Sequence, residues 1–415
     1  MTRNFRRRIA FAGCSGARIL GIAALAGTCL LRGQTLLSGG MFRLFTSDAA
    51  VLEADENRRD LPCNVTPVKP TLGFDLRFHA GYEVTIPLKE LSGAGNQLTM
   101  IFRVAPEGNP DGEVVLSQRI SVPEIDDDAK GDAYLQGSFE VGEGKYHVDW
   151  LMRDRSEHVC SQNWMIEAAL PQRDKDMTLN IEPSTVMPVD TEPFKEEPPV
   201  ERASNESPLN VKVIVNFAPQ NATSATLQPL DTNALISILR NIAREPRITK
   251  FSIVAFNMQE QRVIYRQEGA TQIDFPALGE ALHSLNLGTV DLKQLGQKHS
   301  DTEFLTSLIT QEVKSDKEKP DAVIIAGPKV MLDDGVSQDS LRQIGDLNFP
   351  VFYMNYNLNP QAVPWRDAIG SAVKYLKGAE YTIARPRDLF FAWTEIMSRI
   401  VKFKFGRSAS AAAVP

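Results

Sequence analysis

Residues 209–220 read LNVKVIVNFAPQ, and this stretch decides the fold that the sequence predicts. Its apolar residues are mostly β-branched and nearly continuous. A strand buried on both faces of a parallel sheet has this pattern, because helices cover both of its sides. Open α/β sheets bind ligands beyond the carboxyl ends of their strands. The sequence therefore predicts an α/β domain over 209–405, with a candidate site in the loop after its first strand.

Downstream of this stretch, strand-like and helix-like segments alternate. The predicted strands are 251–256 and 262–266, joined by a tight polar turn, then 321–326 (DAVIIA), 351–356 (VFYMNY) and an edge strand at 381–384. Helices are predicted between them and over 388–401. This order predicts a doubly wound, Rossmann-type sheet with helices on both faces.

Upstream, residues 41–170 show an apolar period of two. Seven short candidate strands are separated by Gly-, Asn- and Pro-rich turns, which predicts an antiparallel β-sandwich. Its alternating late strands around Trp150 resemble those of immunoglobulin-like domains. Between the two domains, residues 171–208 hold seven Pro, nine acidic and four basic residues. We expect this Pro-rich acidic segment to be an extended linker, and residues 406–415 to be a disordered tail.

The first 34 residues have the composition of a signal peptide. Arg6, Arg7 and Arg8 precede an apolar run over 19–31, which is short for a membrane span but suits a secretory signal. An uncleaved N-terminal anchor is the alternative. We therefore expect a secreted or periplasmic protein, with no membrane span after signal cleavage.

Charge and cysteine content restrict the partners and the compartment. The net charge is −7, and removing residues 1–34 leaves 39 basic against 52 acidic residues. Such an acidic protein is not expected to bind nucleic acid. Only Cys63 and Cys160 remain after residue 34, and in an oxidising compartment they are expected to form one disulfide.

The order of elements from residue 209 resembles that of a von Willebrand factor A (vWA) domain, above all in the tight hairpin of its second and third strands. The resemblance implies protein binding, which many such domains mediate through a divalent ion held by a D-x-S-x-S loop. Here those positions fall on Asn216, Ala218 and Gln220, and the later Asp position falls on 326–328 (Ala-Gly-Pro). Thr302 alone matches, so the metal site is expected to be lost, and the segment to bind without a metal or other cofactor.

Further binding candidates lie in the loop after the strand at 351–356. Asn355, Asn357, Trp365 and Arg366 combine amides, an aromatic ring and a cation, as recognition surfaces often do. The alternative is that Trp365 packs beneath the loop. With Asn216, Gln220 and Thr302, these residues form the predicted binding set.

Motifs of known catalytic sites are missing from the sequence, including G-x-S-x-G, H-E-x-x-H and the phosphate-binding loop. We therefore expect an exported, non-catalytic module that binds an extracellular or envelope protein. Two alternatives stay open: an enzyme with a dispersed active site on the α/β domain, and a structural or carbohydrate-binding envelope component.

Overall fold

The computed structural model describes most of the chain from residue 45 onward. The described residues are 35–36, 45–54, 56–109, 112–190, 192–202, 208–221, 224–287, 299–314, 319–332, 336–361 and 367–411, with side chains up to 406. The predicted signal peptide, Trp365 and Arg366 lie outside them. None of the described helices is both long and apolar enough to cross a membrane.

Two antiparallel sheets form a sandwich in the first half of the chain. The five-stranded sheet has the order β1-β5-β4-β7-β8 and the four-stranded sheet the order β2-β3-β6-β9. The strands are β1 (Thr35–Leu36), β2 (Asn64–Leu72), β3 (Phe78–Pro87), β4 (Asn96–Pro106), β5 (Val114–Val122), β6 (Asp132–Val141), β7 (Gly144–Arg153), β8 (Val159–Ala168) and β9 (Val186–Pro188). Helix α1 (Thr46–Glu53) lies against β7.

Large aromatic side chains fill the space between these sheets. The ring of Tyr82 packs against Trp150 and Phe102, and Phe102 packs in turn against Phe139, with centroid separations of 5.2, 5.5 and 5.7 Å. All four are at most 1% exposed. The strand alternation seen in the sequence places these rings on the inner faces of the two sheets.

The predicted disulfide between Cys63 and Cys160 is confirmed. The two Cα atoms lie 6.3 Å apart, and the bond joins the chain just before β2 to strand β8 in the other sheet. A disulfide is typical of proteins outside the cytoplasm.

A six-stranded mixed sheet forms the second half of the chain, with the order β12-β11-β10-β13-β14-β15. Its strands are β10 (Leu209–Asn216), β11 (Ile248–Asn257), β12 (Arg262–Ala270), β13 (Ala322–Pro328), β14 (Val351–Tyr356) and β15 (Ala379–Ile383). Only β12 runs antiparallel to its neighbour. The helices are α2 (Pro229–Ala243), α3 (Phe275–Leu282), α4 (Ser300–Lys314), α5 (Gln338–Arg342), α6 (Ala368–Tyr375) and α7 (Pro386–Ala411).

Alternate side chains of β10 enter two different apolar clusters. Val211, Val213 and Val215 pack in the cluster that contains buried residues of α2, α3 and α7. Ile214 packs in the cluster that contains residues of α4, α5 and α6. The continuous apolar run in 209–217 thus reflects burial on both faces of this strand.

The predicted fold class is wrong. We expected a seven-stranded immunoglobulin-like sandwich followed by a Rossmann-type sheet of the vWA kind. The described chain is instead mostly β and is built from three sheets, two of them antiparallel throughout. The sandwich recruits β1 before and β9 after the predicted strands. These features do not make a clear Rossmann-type vWA domain.

Segment 171–202 contacts both halves of the molecule. Met177 and Val186 are buried in the sandwich core, and β9 pairs with β6. Farther along, Glu197 accepts from Arg244 at 2.7 Å and pairs with Arg240. These contacts use both the apolar and the acidic residues of the segment.

The sandwich and the mixed sheet also touch directly. The ring of Phe74, in the β2–β3 turn, meets Tyr356 at the end of β14 edge to face, with centroids 6.1 Å apart. Arg387 of α7 pairs with the buried Asp174 at 2.8 Å, and Phe390 packs against the sandwich core. The carboxyl edge of the mixed sheet therefore lies beside the sandwich.

Candidate functional site

Four of the predicted binding residues meet at the carboxyl edge of the mixed sheet. Asn216 ends β10, Asn355 lies near the end of β14, and Asn357 follows it. All three are at most 2% exposed. Gln220 joins them, because its Nε2 donates to Asn357 Oδ1 at 3.4 Å. The sequence prediction therefore brought together residues that are neighbours in space, whereas their role in binding stays a prediction.

The amides mainly fix the loops that leave the sheet. Asn216 Oδ1 accepts from the backbone N–H of Met258 at 3.1 Å, and Asn357 Oδ1 accepts from that of Asn359 at 3.1 Å. The Nδ2 atoms of Asn216 and Asn357 have no hydrogen-bond partner among the described residues. Buried polar atoms without a partner are uncommon and cost free energy of folding. Two buried amide donors at this edge are therefore left without an acceptor among the described residues.

A carboxylate cluster adjoins Asn355. Asp367 Oδ1 accepts from the backbone N–H groups of Ile369 and Val330, both at 3.1 Å, so that it caps α6 and holds the loop after β13. Burial raises the pKa of Asp367, and the nearby Glu380 carboxylate raises it further. Asn355 Nδ2 donates to Glu380 Oε1 at 3.0 Å. Two carboxylates, Asp367 and Glu380, therefore lie beside Asn355.

Asp231, in the first turn of α2, lies on the other side of the edge. It is 5% exposed, and burial raises its pKa, whereas hydrogen bonds from the backbones of Gln220 and Gln228 oppose that rise. Burial likewise raises the pKa of Tyr356. Asp231 lies near Tyr356, and the Tyr356 ring contacts Phe74 of the sandwich. Asp231 is therefore close to the sandwich.

Thr302 lies apart from the amides, in the first turn of α4. It is at one end of a groove of about 640 Å³ between α4 and α5. Hydroxyl and carboxamide side chains line most of this groove. They are Thr302, Thr306, Ser307, Thr310, Gln311, Ser337, Ser340 and Gln343, with Glu303 and Lys314 from α4 as the charged members.

Thr306 is the buried part of this lining. It is 8% exposed, and its Oγ1 has no hydrogen-bond partner in the described part of the chain; the same holds for Thr310 Oγ1. Sequence reasoning found Thr302 but missed the groove, because the pairing of α4 with α5 joins residues about 35 positions apart. Hydroxyls recurring every three to four residues along 302–310 were the available signal.

A second grouping that the sequence reasoning missed lies in the sandwich. Asp75, His79 and Glu140 each offer a ligand atom, and these atoms all lie within 4.8 Å of one another. Asp75 and His79 are partly buried and Glu140 is buried. This is a donor set that metal ions use in proteins.

Comparison with known proteins leaves the family open. No protein-family model and no curated protein matches the chain. Among solved structures, a β-glucuronidase of Bacteroides uniformis covers 76% of this chain and 38% of its own, at 10% identity and a TM-score of 0.19. A glycosyl hydrolase family 2 member of Bacteroides cellulosilyticus covers 78% and 39%, at 11% identity and a TM-score of 0.19.

The PilB minor pilin of Streptococcus sanguinis is also similar, at 7% identity and a TM-score of 0.26. It covers 72% of this chain and 87% of its own. The chain spans less than two fifths of the length of the two hydrolases. At such identities and TM-scores, these likenesses carry no conclusion about activity.

Proposed function

We propose that the chain is an exported, non-catalytic protein-binding module, secreted or periplasmic, which holds an extended segment of a partner protein in the groove between α4 and α5. The observation that carries the proposal is the lining of this groove, in which eight of the ten residues carry a hydroxyl or a carboxamide. A peptide backbone presents N–H and C=O groups that hydroxyls and carboxamides can both serve.

The charges of the groove suggest what the partner segment carries. Glu303 lies in the first turn of α4 and Lys314 in its last turn. Eleven residues of α-helix span about 16 Å, a distance that about five residues of extended chain cover. We therefore expect a segment with a basic residue near Glu303, an acidic residue near Lys314, and about four residues between them.

A peptide library tests this proposal. Its members carry lysine at one end and aspartate at the other, in either order, with four randomised positions between them, and each selected peptide receives a fluorophore for anisotropy. We expect saturable binding of the best peptides to the full exported chain. Ser307→Ala removes an exposed hydroxyl of the groove lining, so affinity should fall about fivefold.

Thr394→Val provides the matched control. The Thr394 hydroxyl is exposed on α7, away from the groove, and donates to the Phe390 carbonyl oxygen at 2.9 Å. It should leave affinity unchanged. Failure of the library to yield any saturable binder, or equal losses in both variants, would refute the groove as the binding site.

A further inference from the structure

The Asp75–His79–Glu140 grouping is held in place by the sandwich fold itself. His79 lies in β3 directly opposite Glu140 in β6, in the antiparallel register of the two strands. Asp75 lies in the turn between β2 and β3, four residues before His79. His79 Nε2 is 3.0 Å from both carboxylate oxygens of Asp75. Three donors from two strands and one turn therefore converge without any rearrangement of the backbone.

The turn that carries Asp75 is fixed by its own hydrogen bonds. The N–H of Gly73 donates to the Arg77 carbonyl oxygen at 2.8 Å, and Asn180 Nδ2 donates to the Asp75 carbonyl oxygen at 2.6 Å. Leu76 has φ 59°, a left-handed conformation that non-glycine residues adopt at a cost. The position of the Asp75 carboxylate is thus set before any ligand binds.

Arg77 brings a positive charge close to the grouping. It donates to Glu140 Oε2 at 2.6 Å and also lies near the Asp75 and Asp190 carboxylates. With His79 neutral, three carboxylates and one guanidinium leave a net charge of −2, which a divalent cation would neutralise. Arg77 also orients Glu140, as groups that bond to metal ligands commonly do.

We propose that Asp75, His79 and Glu140 form a binding site for one divalent transition-metal ion, with Zn²⁺ as the ion that the donors fit best. Zn²⁺ binds both imidazole nitrogen and carboxylate oxygen in proteins, and solvent completes the coordination in sites with three protein ligands. Glu140 forms the closed side, and the half-buried Asp75 and His79 leave access from solvent. This site is independent of the peptide groove.

Binding at this site would also stiffen the contact between the two halves of the molecule. Phe74 immediately precedes Asp75 in the same turn, and its ring packs against Tyr356 of the mixed sheet. A metal ion on Asp75 restrains the turn and thereby the Phe74 ring. We therefore expect Zn²⁺ to raise the thermal midpoint of the whole chain.

To test the proposal, the full exported chain is first stripped of metal with a chelator. Zn²⁺ is then titrated into it, and binding is measured by calorimetry and by competition with a chromophoric chelator. We expect one ion per chain and a higher thermal midpoint. His79→Gln and, separately, Glu140→Gln should each weaken binding at least tenfold and abolish the thermal shift, with circular dichroism confirming that each variant folds.

His158→Gln is the matched control. His158 Nδ1 also contacts an aspartate four residues away, Asp154, at 3.1 Å, but this pair is not part of a three-donor grouping in the described residues. The control should bind Zn²⁺ as the unchanged chain does. No stoichiometric binding, or the same weakening in His158→Gln as in the site variants, would overturn the proposal.

Discussion

Glu312→Gln should destabilise the fold because Glu312 anchors helix α4, which forms one wall of the groove between α4 and α5. The Glu312 carboxylate pairs with Lys212 Nζ of β10 and with Arg266 of β12, both at 2.6 Å. The side chains of Glu312 and Lys212 are only 1% and 9% exposed. Helix α4 is thereby tied to two strands of the mixed sheet by one buried ion-pair network.

The size of the effect follows from what the substitution leaves behind. Lys212 would keep the Glu312 carbonyl oxygen at 3.0 Å as an acceptor but lose its counter-charge inside the protein. Breaking a buried pair in this way typically costs about 3–5 kcal/mol. Arg266 is 36% exposed, so that its share is screened by solvent and small. We expect a loss of about 3 kcal/mol in the free energy of unfolding, measured by urea denaturation at pH 7.

The pH dependence gives a second readout. Burial raises the pKa of Glu312, but hydrogen bonds and charge from Arg266 and Lys212 outweigh it, so that the folded-state pKa lies below its ordinary value of 4.5. This stabilisation is present above pH 4.5 and is lost as pH falls through the lower folded-state pKa. The difference between the unchanged chain and Glu312→Gln should therefore shrink below pH 4.5.

Glu268→Gln is the control, since Glu268 contacts the same Arg266 at 3.7 Å but is 51% exposed. It should change stability by less than about 0.5 kcal/mol. A loss below 1 kcal/mol in Glu312→Gln, or a difference that does not change with pH, would refute the reasoning.

Three further outcomes follow from the structure. Cys63 and Cys160 should resist alkylation until reduced, and reduction should cost about 4–5 kcal/mol for a loop of 97 residues in the chain-entropy model; free thiols in the exported protein would contradict this. Gly327→Ala should cost roughly 1–3 kcal/mol by thermal melting, because its new Cβ would lie 2.7 Å from Asn216 Cβ, and a neutral result would contradict this tight contact. Arg387→Met should cost about 2 kcal/mol, because the buried Asp174 would keep only its longer ion pair with the exposed Arg173, at 3.7 Å, and an unchanged melt would show that this contact between the halves is unimportant.

Local patterns in the sequence predicted individual elements well. The apolar run in 209–217 is a strand buried on both faces, and the alternation around Trp150 puts that ring in the sandwich core. The pairing of Cys63 with Cys160 followed from the expected oxidising compartment and from the presence of only two cysteines after residue 34. In each case a short-range pattern or a simple count determined the outcome.

Long-range pairing explains where the sequence prediction of the fold failed. Strand β9 comes from the Pro-rich acidic segment, where propensity favours extended chain and only tertiary contact with β6 selects a strand. Glu197 likewise reads as one of many solvated acids until the fold brings Arg240 and Arg244 to it. Composition therefore described this segment without indicating what it packs against.

The candidate sites also differ in how far the sequence alone could predict them. Asn216 and Asn355 lie at or near the ends of strands that meet at one edge, so sequence reasoning brought them together. His79 and Glu140 are opposite each other only through the register of two antiparallel strands, and no local motif marks that register. The metal-ligand grouping was therefore found only from the fold.

The central claim, that the groove between α4 and α5 binds a dipolar peptide segment, is tested most directly by reversing one of its two charges. Glu303→Lys makes both ends of the groove basic, because Lys314 already supplies a positive charge at the other end. We predict that the unchanged chain prefers peptides with one lysine and one aspartate end, and that Glu303→Lys prefers peptides with aspartate at both ends. A shift of about fivefold in relative affinity is expected for one exposed ion pair. An unchanged preference in Glu303→Lys, measured by anisotropy with the same peptides, would contradict the account.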